Sequence, residues 1–196
     1  MQNLRQVSLR ETEILLNLAE SRLLIEGDLV EFGCYMGDTS LSLEKMLEKN
    51  RTLKKLWLYD SFAGLPEKSR EDASVAGEQF RAGELSVSKA LVIGRFKRAG
   101  LKIPIIKKGF FDQLNPEKDV PEKICFGFLD GDLYDSIKIS LKLTADRVTD
   151  GGILVVHDYN NPELPGVARA VEEFLKSPTG KRTRLSQRES LAILEF

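Results

Sequence analysis

The chain has 196 residues with 29 basic and 30 acidic side chains, a formal net charge of −1, and 42% hydrophobic residues. That length fits one domain, residues 1–196, able to bury roughly 70% of its unfolded surface in a single core. Charges of both signs are scattered along the chain, which argues against nucleic acid or an acidic membrane surface as partner and leaves a small molecule.

In chain order, residues 1–27 are expected as an N-terminal helical segment, with Ile14, Leu15, Leu18, Ala19, Leu23 and Leu24 at helical spacing between Glu11 and Ile25. Gly27-Asp28 breaks that pattern, and Leu29 to Phe32 starts a strand that runs through Gly33 and Gly37 into a helix from about Thr39 to Glu48. A second strand, Lys55 to Tyr59, ends at Asp60. Residues 67–84 are polar without a core period, a candidate lid or acceptor loop. Leu85 to Lys97 reads as a helix and Ile103 to Ile106 as a strand leading to Lys107-Lys108-Gly109-Phe110-Phe111. Ile124 to Leu129 carries no charge, which suits a strand buried on both faces of a parallel sheet, and ends in Asp130 and Asp132. Asp132 to Arg147 is helical, Gly152 to Val156 is a strand ending in His157-Asp158, and Pro165 to Lys176 is helical. Thr183 to Leu185 and Leu191 to Phe196 close the chain as a hairpin. The alternation predicts a doubly wound α/β sheet, mostly parallel with an antiparallel C-terminal hairpin strand.

Cys34 and Cys125 fall in strand or turn signals and are expected as free thiols, and the N-terminal stretch lacks an uninterrupted apolar segment, so the expected location is cytoplasmic.

Ligands of open α/β sheets bind beyond the carboxyl ends of the strands. Two such ends supply Asp130, Asp132 and Asp158 with the only histidine, His157, the makings of a metal site with a base beside it. A single histidine excludes an iron site built on two histidines and one carboxylate. Counted from Gly33, the dinucleotide spacing G-x-G-x-x-G fails at Tyr35 and Asp38, and no Gly-Lys-Ser/Thr phosphate loop follows. The turn can instead let backbone approach a nucleoside with an amino-acid tail, an acid meeting the amine and helix amides the carboxylate. S-adenosylmethionine is such a ligand. Asp60 lies where a carboxylate meets ribose hydroxyls in these folds, with helix capping as the bland alternative. Asp132 is either a base or the N-cap of the helix that follows it.

Five stretches carry a more specific likeness: Val30-Glu31-Phe32-Gly33-Cys34-Tyr35-Met36-Gly37, Tyr59-Asp60-Ser61-Phe62-Ala63-Gly64-Leu65-Pro66, Lys108-Gly109-Phe110-Phe111, Leu129 to Ser136 and Gly151 to Tyr159. With them the chain resembles the macrocin O-methyltransferase (TylF-like) family of class I S-adenosylmethionine-dependent methyltransferases, over roughly Leu29 to Phe174. The resemblance implies a Rossmann-like sheet and a magnesium-dependent transferase that methylates a hydroxyl of a small molecule, often a sugar on a natural product. By position it implies Glu31, Gly33, Tyr35, Gly37 and Thr39 at the methionine end of the cofactor. Asp60 and Ser61 would meet ribose beside Phe62, and Phe110 and Phe111 would lie near adenine beside Gly109. Asp130 is implied both beside the cofactor and as a metal ligand with Asp158, and Asp132 as the general base. The family usually has two acids where this chain has His157-Asp158; a ligating His157 would tilt the ion from Mg²⁺ toward Mn²⁺. The stretch before the first strand is short for the family. A metal-independent small-molecule methyltransferase and a non-catalytic S-adenosylmethionine-binding protein are the alternatives. The acceptor and the oligomeric state are not legible, and a homo-oligomer is left open.

Overall fold

A computed structural model describes residues 6–75 and 79–196. Helix α1, Leu9–Glu20, starts on a capping box in which Ser8 and Glu11 satisfy each other's backbone amides, two residues before the expected start. Strand β1 is Asp28–Phe32, α2 Asp38–Lys49 and β2 Leu56–Asp60. After a 28-residue connection, interrupted by a 3-10 turn at Arg70–Asp72, come α3, Lys89–Arg98, and β3, Ile105–Lys108. Helix α3 begins later than the sequence suggests because the Ser88 hydroxyl accepts from the Leu91 amide and sets the first turn there. A short helix α4, Pro116–Asp119, precedes β4, Ile124–Leu129. Then follow α5, Tyr134–Thr144, β5, Val148–Val156, α6, Pro165–Lys176, β6, Arg184–Arg188, and β7, Leu191–Glu195.

These strands form one seven-stranded sheet in the order β3-β2-β1-β4-β5-β7-β6. The β1, β2, β3, β4 and β5 pairings are all parallel, while β7 runs antiparallel between β5 and β6. Every residue of β4 is buried, as its uncharged run requires of a central strand. One apolar layer, including Leu15, Leu43, Val92 and Phe96, places α1, α2 and α3 on one face of the sheet. The other, including Ile137, Leu141, Val167 and Val171, places α5 and α6 opposite. The chain winds outward in one direction from β1 to β3 and in the other from β4 to β5, so the order reverses between β1 and β4. Crevices form at such reversals. Among the described residues no helix is long and apolar enough to cross a membrane.

Candidate active site

At the reversal point the ends of β1 and β4 meet over a cavity of about 240 Å³. The turn after β1 touches the turn after β4. A Cβ on Gly33, whose φ is +84°, would lie 1.8 Å from the Asp130 carbonyl oxygen, so only glycine fits. Asp60, arriving from β2, fixes this turn: its Oδ2 accepts from the Cys34 and Tyr35 amides at 3.0 Å each, and its Oδ1 from the Phe62 amide at 2.7 Å. Asp60 is therefore a clasp across two strand ends and caps no helix. Its carboxyl titrates above the usual range because it is buried.

Glu31, on β1, is 1% exposed, and the Ser40 hydroxyl donates to its Oε2 at 2.6 Å. Burial, with Asp130 and Asp60 nearby, pushes its pKa up to about 8. Helix α2 opens at Gly37 with no side-chain cap hydrogen bond among the described residues. Arg95 of α3 holds this corner by donating to the Met36 carbonyl at 2.7 Å and to Asp38 at 2.6 Å.

Across the cavity, His157 is 6% exposed, and its Nδ1 lies 2.9 Å from Asp130 Oδ1 and 3.1 Å from Asp158 Oδ2. Its Nε2 faces Glu11 Oε2 of α1 at 3.8 Å. Burial disfavours the charged ring, but Asp130, Asp158 and Glu11 outweigh it and hold His157 as an imidazolium. The facing ring keeps Glu11 ionised well below the usual carboxylate range. One donor atom from each of Asp130, His157 and Asp158 falls within a 4.8 Å span. Neighbouring ligands of a six-coordinate divalent ion with bonds of ~2.1 Å stand about 3 Å apart, so these three side chains fit such an ion once the ring gives up its Nδ1 proton.

Asp132 caps no helix. Helix α5 starts at Tyr134 with Leu133 as N-cap, and Asp132, with φ +59°, sits at the apex of a three-residue turn closed by the Leu133 amide on the Gly131 carbonyl at 2.6 Å. It borders the cavity, and burial reinforced by Asp130 and Asp158 raises its pKa well above that of a free carboxyl.

Of the residues singled out from the sequence, Glu31, Gly33, Tyr35, Thr39, Asp60, Ser61, Phe110, Phe111, Asp130, Asp132, His157 and Asp158 all border this one cavity. Gly37, Phe62 and Gly109 stand back from it. A Cβ on Gly37 would meet Val92 of α3, Phe62 is buried in the α1–α3 layer, and Gly109 faces Gln113. Each shapes the backbone of a turn instead of its cavity surface. Sequence reasoning missed Gln6, Val7 and Thr12 around the start of α1, which close one side. It also missed Glu11, although Ser8-x-x-Glu11 is a readable cap signal. Leu65, Pro66, Phe80, Leu85 and Asn161 also border the cavity, Phe80 coming from residues 67–84. Tyr134 donates its hydroxyl to Glu173 at 2.7 Å and is not among the residues that border the cavity. Cys34 and Cys125 are buried free thiols.

The strand order, the reversal-point cavity and the acid at the end of β2 define the class I methyltransferase fold. Among solved structures, the O-methyltransferase NovP superposes with a TM-score of 0.82 at 23% identity, covering 96% of this chain and 80% of that one. The Bacillus cereus O-methyltransferase in complex with SAH does so with a TM-score of 0.66 at 14% identity, covering 98% and 84%. Residues 13–183 match the profile of Macrocin-O-methyltransferase (TylF), and the chain belongs to that family of enzymes. A Streptomyces olivaceus 8-demethyl-8-(2,3-dimethoxy-alpha-L-rhamnosyl)-tetracenomycin-C 4'-O-methyltransferase is 30% identical over 141 residues, which is 69% of this chain and 54% of that protein. The Micromonospora griseorubida mycinamicin III 3''-O-methyltransferase is 27% identical over 161 residues, 76% of this chain and 61% of that protein. The chain thus spans between half and two thirds of the length of these relatives.

Proposed function

We propose that the protein is an S-adenosylmethionine-dependent O-methyltransferase that acts on a hydroxyl of a small molecule, a sugar or a glycosylated natural product, with a divalent ion at Asp130, His157 and Asp158. The observation that carries this reading is the convergence of Asp130, Asp132 and Asp158 on the same cavity as the Gly33 turn and Glu31. Six carboxylates border the cavity and no lysine or arginine does among the described lining residues, which suits a cationic sulfonium donor and a neutral or cationic acceptor in preference to a phosphorylated one.

On this reading Glu31 meets the amine of the cofactor, the uncapped start of α2 its carboxylate, and the lone pairs left on Asp60 its ribose hydroxyls. Phe110 and Phe111 flank the base, Phe111 being fixed edge-on to Phe32 at 5.1 Å. A divalent ion held by Asp130, His157 and Asp158 would supply positive charge that lowers the pKa of the acceptor hydroxyl. Asp132, whose raised pKa makes it a stronger base than a free carboxylate, takes the hydroxyl proton as the oxygen attacks the methyl carbon and the carbon–sulfur bond breaks to leave S-adenosylhomocysteine. Metal-independent transfer is a second reading favoured by one observation: His157 already places a cation between Asp130 and Asp158.

The test is a screen of neutral hydroxylated glycosides and phenols with labelled S-adenosylmethionine, with and without Mn²⁺ or Mg²⁺ and a chelator. Turnover abolished by the chelator and restored by the ion supports the metal reading, and turnover that survives thorough chelation selects the second one. Asp132→Asn is expected to lower kcat by about 10² to 10⁴ with cofactor affinity nearly unchanged; wild-type turnover in that variant would remove Asp132 as base.

A further inference from the structure

The turn that carries Asp132 holds a non-glycine residue at positive φ, as do Tyr35 and Asp158 elsewhere around the cavity. A three-residue turn with its central non-glycine residue in the left-handed region is rare and strained, and it persists only if its flanks are held. One flank is held by the sheet, where the Asp130 amide donates to the Phe32 carbonyl at 2.8 Å. The other is held from far away in sequence. Asp72, 2% exposed, accepts from the Tyr134 amide through Oδ1 at 2.7 Å, and so provides the first turn of α5 with the cap its own residues lack.

Asp72 lies in the long connection between β2 and α3. The neck of that loop is pinched where the Leu65 amide donates to the Glu84 carbonyl at 2.8 Å and the Gly83 amide to the Leu65 carbonyl at 2.9 Å. Beyond the neck, Asp72 Oδ2 accepts from the amide and hydroxyl of Ser69 at 2.9 and 2.7 Å, so one carboxylate joins the loop to the start of α5. Helix α6 leaves room for it. A Cβ on Gly166 would lie 2.0 Å from Asp72 Oδ1 and 2.8 Å from Tyr134 Cβ. The loop also carries cavity wall in Leu65, Pro66, Phe80 and Leu85.

We propose that Asp72 is a positioning residue that fastens the 66–82 loop to the start of α5 and so fixes the acceptor wall and the Asp132 turn as one unit. The consequence for turnover rests on the reading of Asp132 as the base; the fastening itself does not.

The experiment therefore has two parts, on Asp72→Asn, on Gly166→Ala, which would push the carboxylate aside from the α6 side, and on the milder Ser69→Ala. Hydrogen exchange and limited proteolysis of the folded proteins read the fastening. The Tyr134 amide and the loop should lose protection together in Asp72→Asn and Gly166→Ala, with cleavage within residues 66–82 accelerated at least 10-fold and S-adenosylhomocysteine affinity within about 2-fold of wild type. Turnover on the acceptor found by the screen should fall about 10- to 100-fold in kcat, in the same order as loop protection, with the KM for S-adenosylmethionine nearly constant. Ser69→Ala, which keeps the bond to Tyr134, should loosen the loop while sparing most of the kcat. Unchanged exchange at Tyr134, or a loop that loosens without it in Asp72→Asn, overturns the proposal. Loosening with full wild-type kcat in both stronger variants overturns the coupling to the base, whereas an active Asp132→Asn beside an impaired Asp72→Asn would reject Asp132 as base and leave the fastening intact.

Discussion

A carboxyl buried in a protein holds its proton to a higher pH than a free one. Glu31 is such a residue: its folded pKa of about 8 stands above the ordinary 4.5. The folded protein therefore holds a proton at Glu31 that the unfolded chain has lost between those values, and ionising it costs apo stability as pH rises through the window. Glu31→Gln should flatten this fall in apo melting temperature between pH ~5 and ~8 and weaken S-adenosylmethionine binding roughly 10- to 100-fold, because a charge-assisted bond is lost. Melting curves against pH and calorimetric titration check both halves, and a variant that binds like wild type would remove Glu31 from the amine site. Asp60 teaches a different lesson. Its spacing from the Gly33 turn was legible, yet its carboxylate first serves the amides of Cys34 and Tyr35, a use that only the pairing of β1 with β2 reveals.

At the scale of elements, the glycine turn and α1 are the two pieces whose disturbance should be felt at the site. Gly33→Ala sets a methyl group against the Asp130 carbonyl and should cost about 2 kcal/mol or more, with loss of cofactor binding, measured by denaturant titration and S-adenosylhomocysteine binding. Ser8→Ala removes a cap bond to Glu11 and should cost about 1 kcal/mol. Such a loss lowers the melting temperature by roughly 2–4 °C in a domain of this size. The core-facing periods of α5 and α6 and the uncharged run of β4 were plain in the sequence because each buries a stripe or both faces against neighbours. The roles of α1 and of the β2 to α3 connection were not. Glu11 meets His157 across most of the chain, and Asp72 caps a helix from a polar stretch with no period, so neither leaves a local spacing to read.

For the whole molecule, the winding of the sheet from β1 outward in two directions was legible from the alternation of strands and helices, and with it the place where the cavity opens. The cavity itself gathers residues from Gln6 to Asn161, and its balance of charge is a property of the assembled fold. A divalent ion bound to the folded state alone should raise the melting temperature, by the equivalent of about 2.7 kcal/mol at a concentration 100 times its Kd. Asp158→Ala should abolish the rise. Equal melting of wild type with Mn²⁺, Mg²⁺ or a chelator would count against the ion at this site.

Strand β7 pairs with β5 from Ile153 to Val156, next to His157, and the Ser190 hydroxyl just before it donates to Glu11. It also leaves the ribosome after every described residue that borders the cavity. During synthesis the cavity thus waits on a piece that contributes none of its walls, and a nascent chain should gain protease resistance around His157 only when that strand clears the exit tunnel.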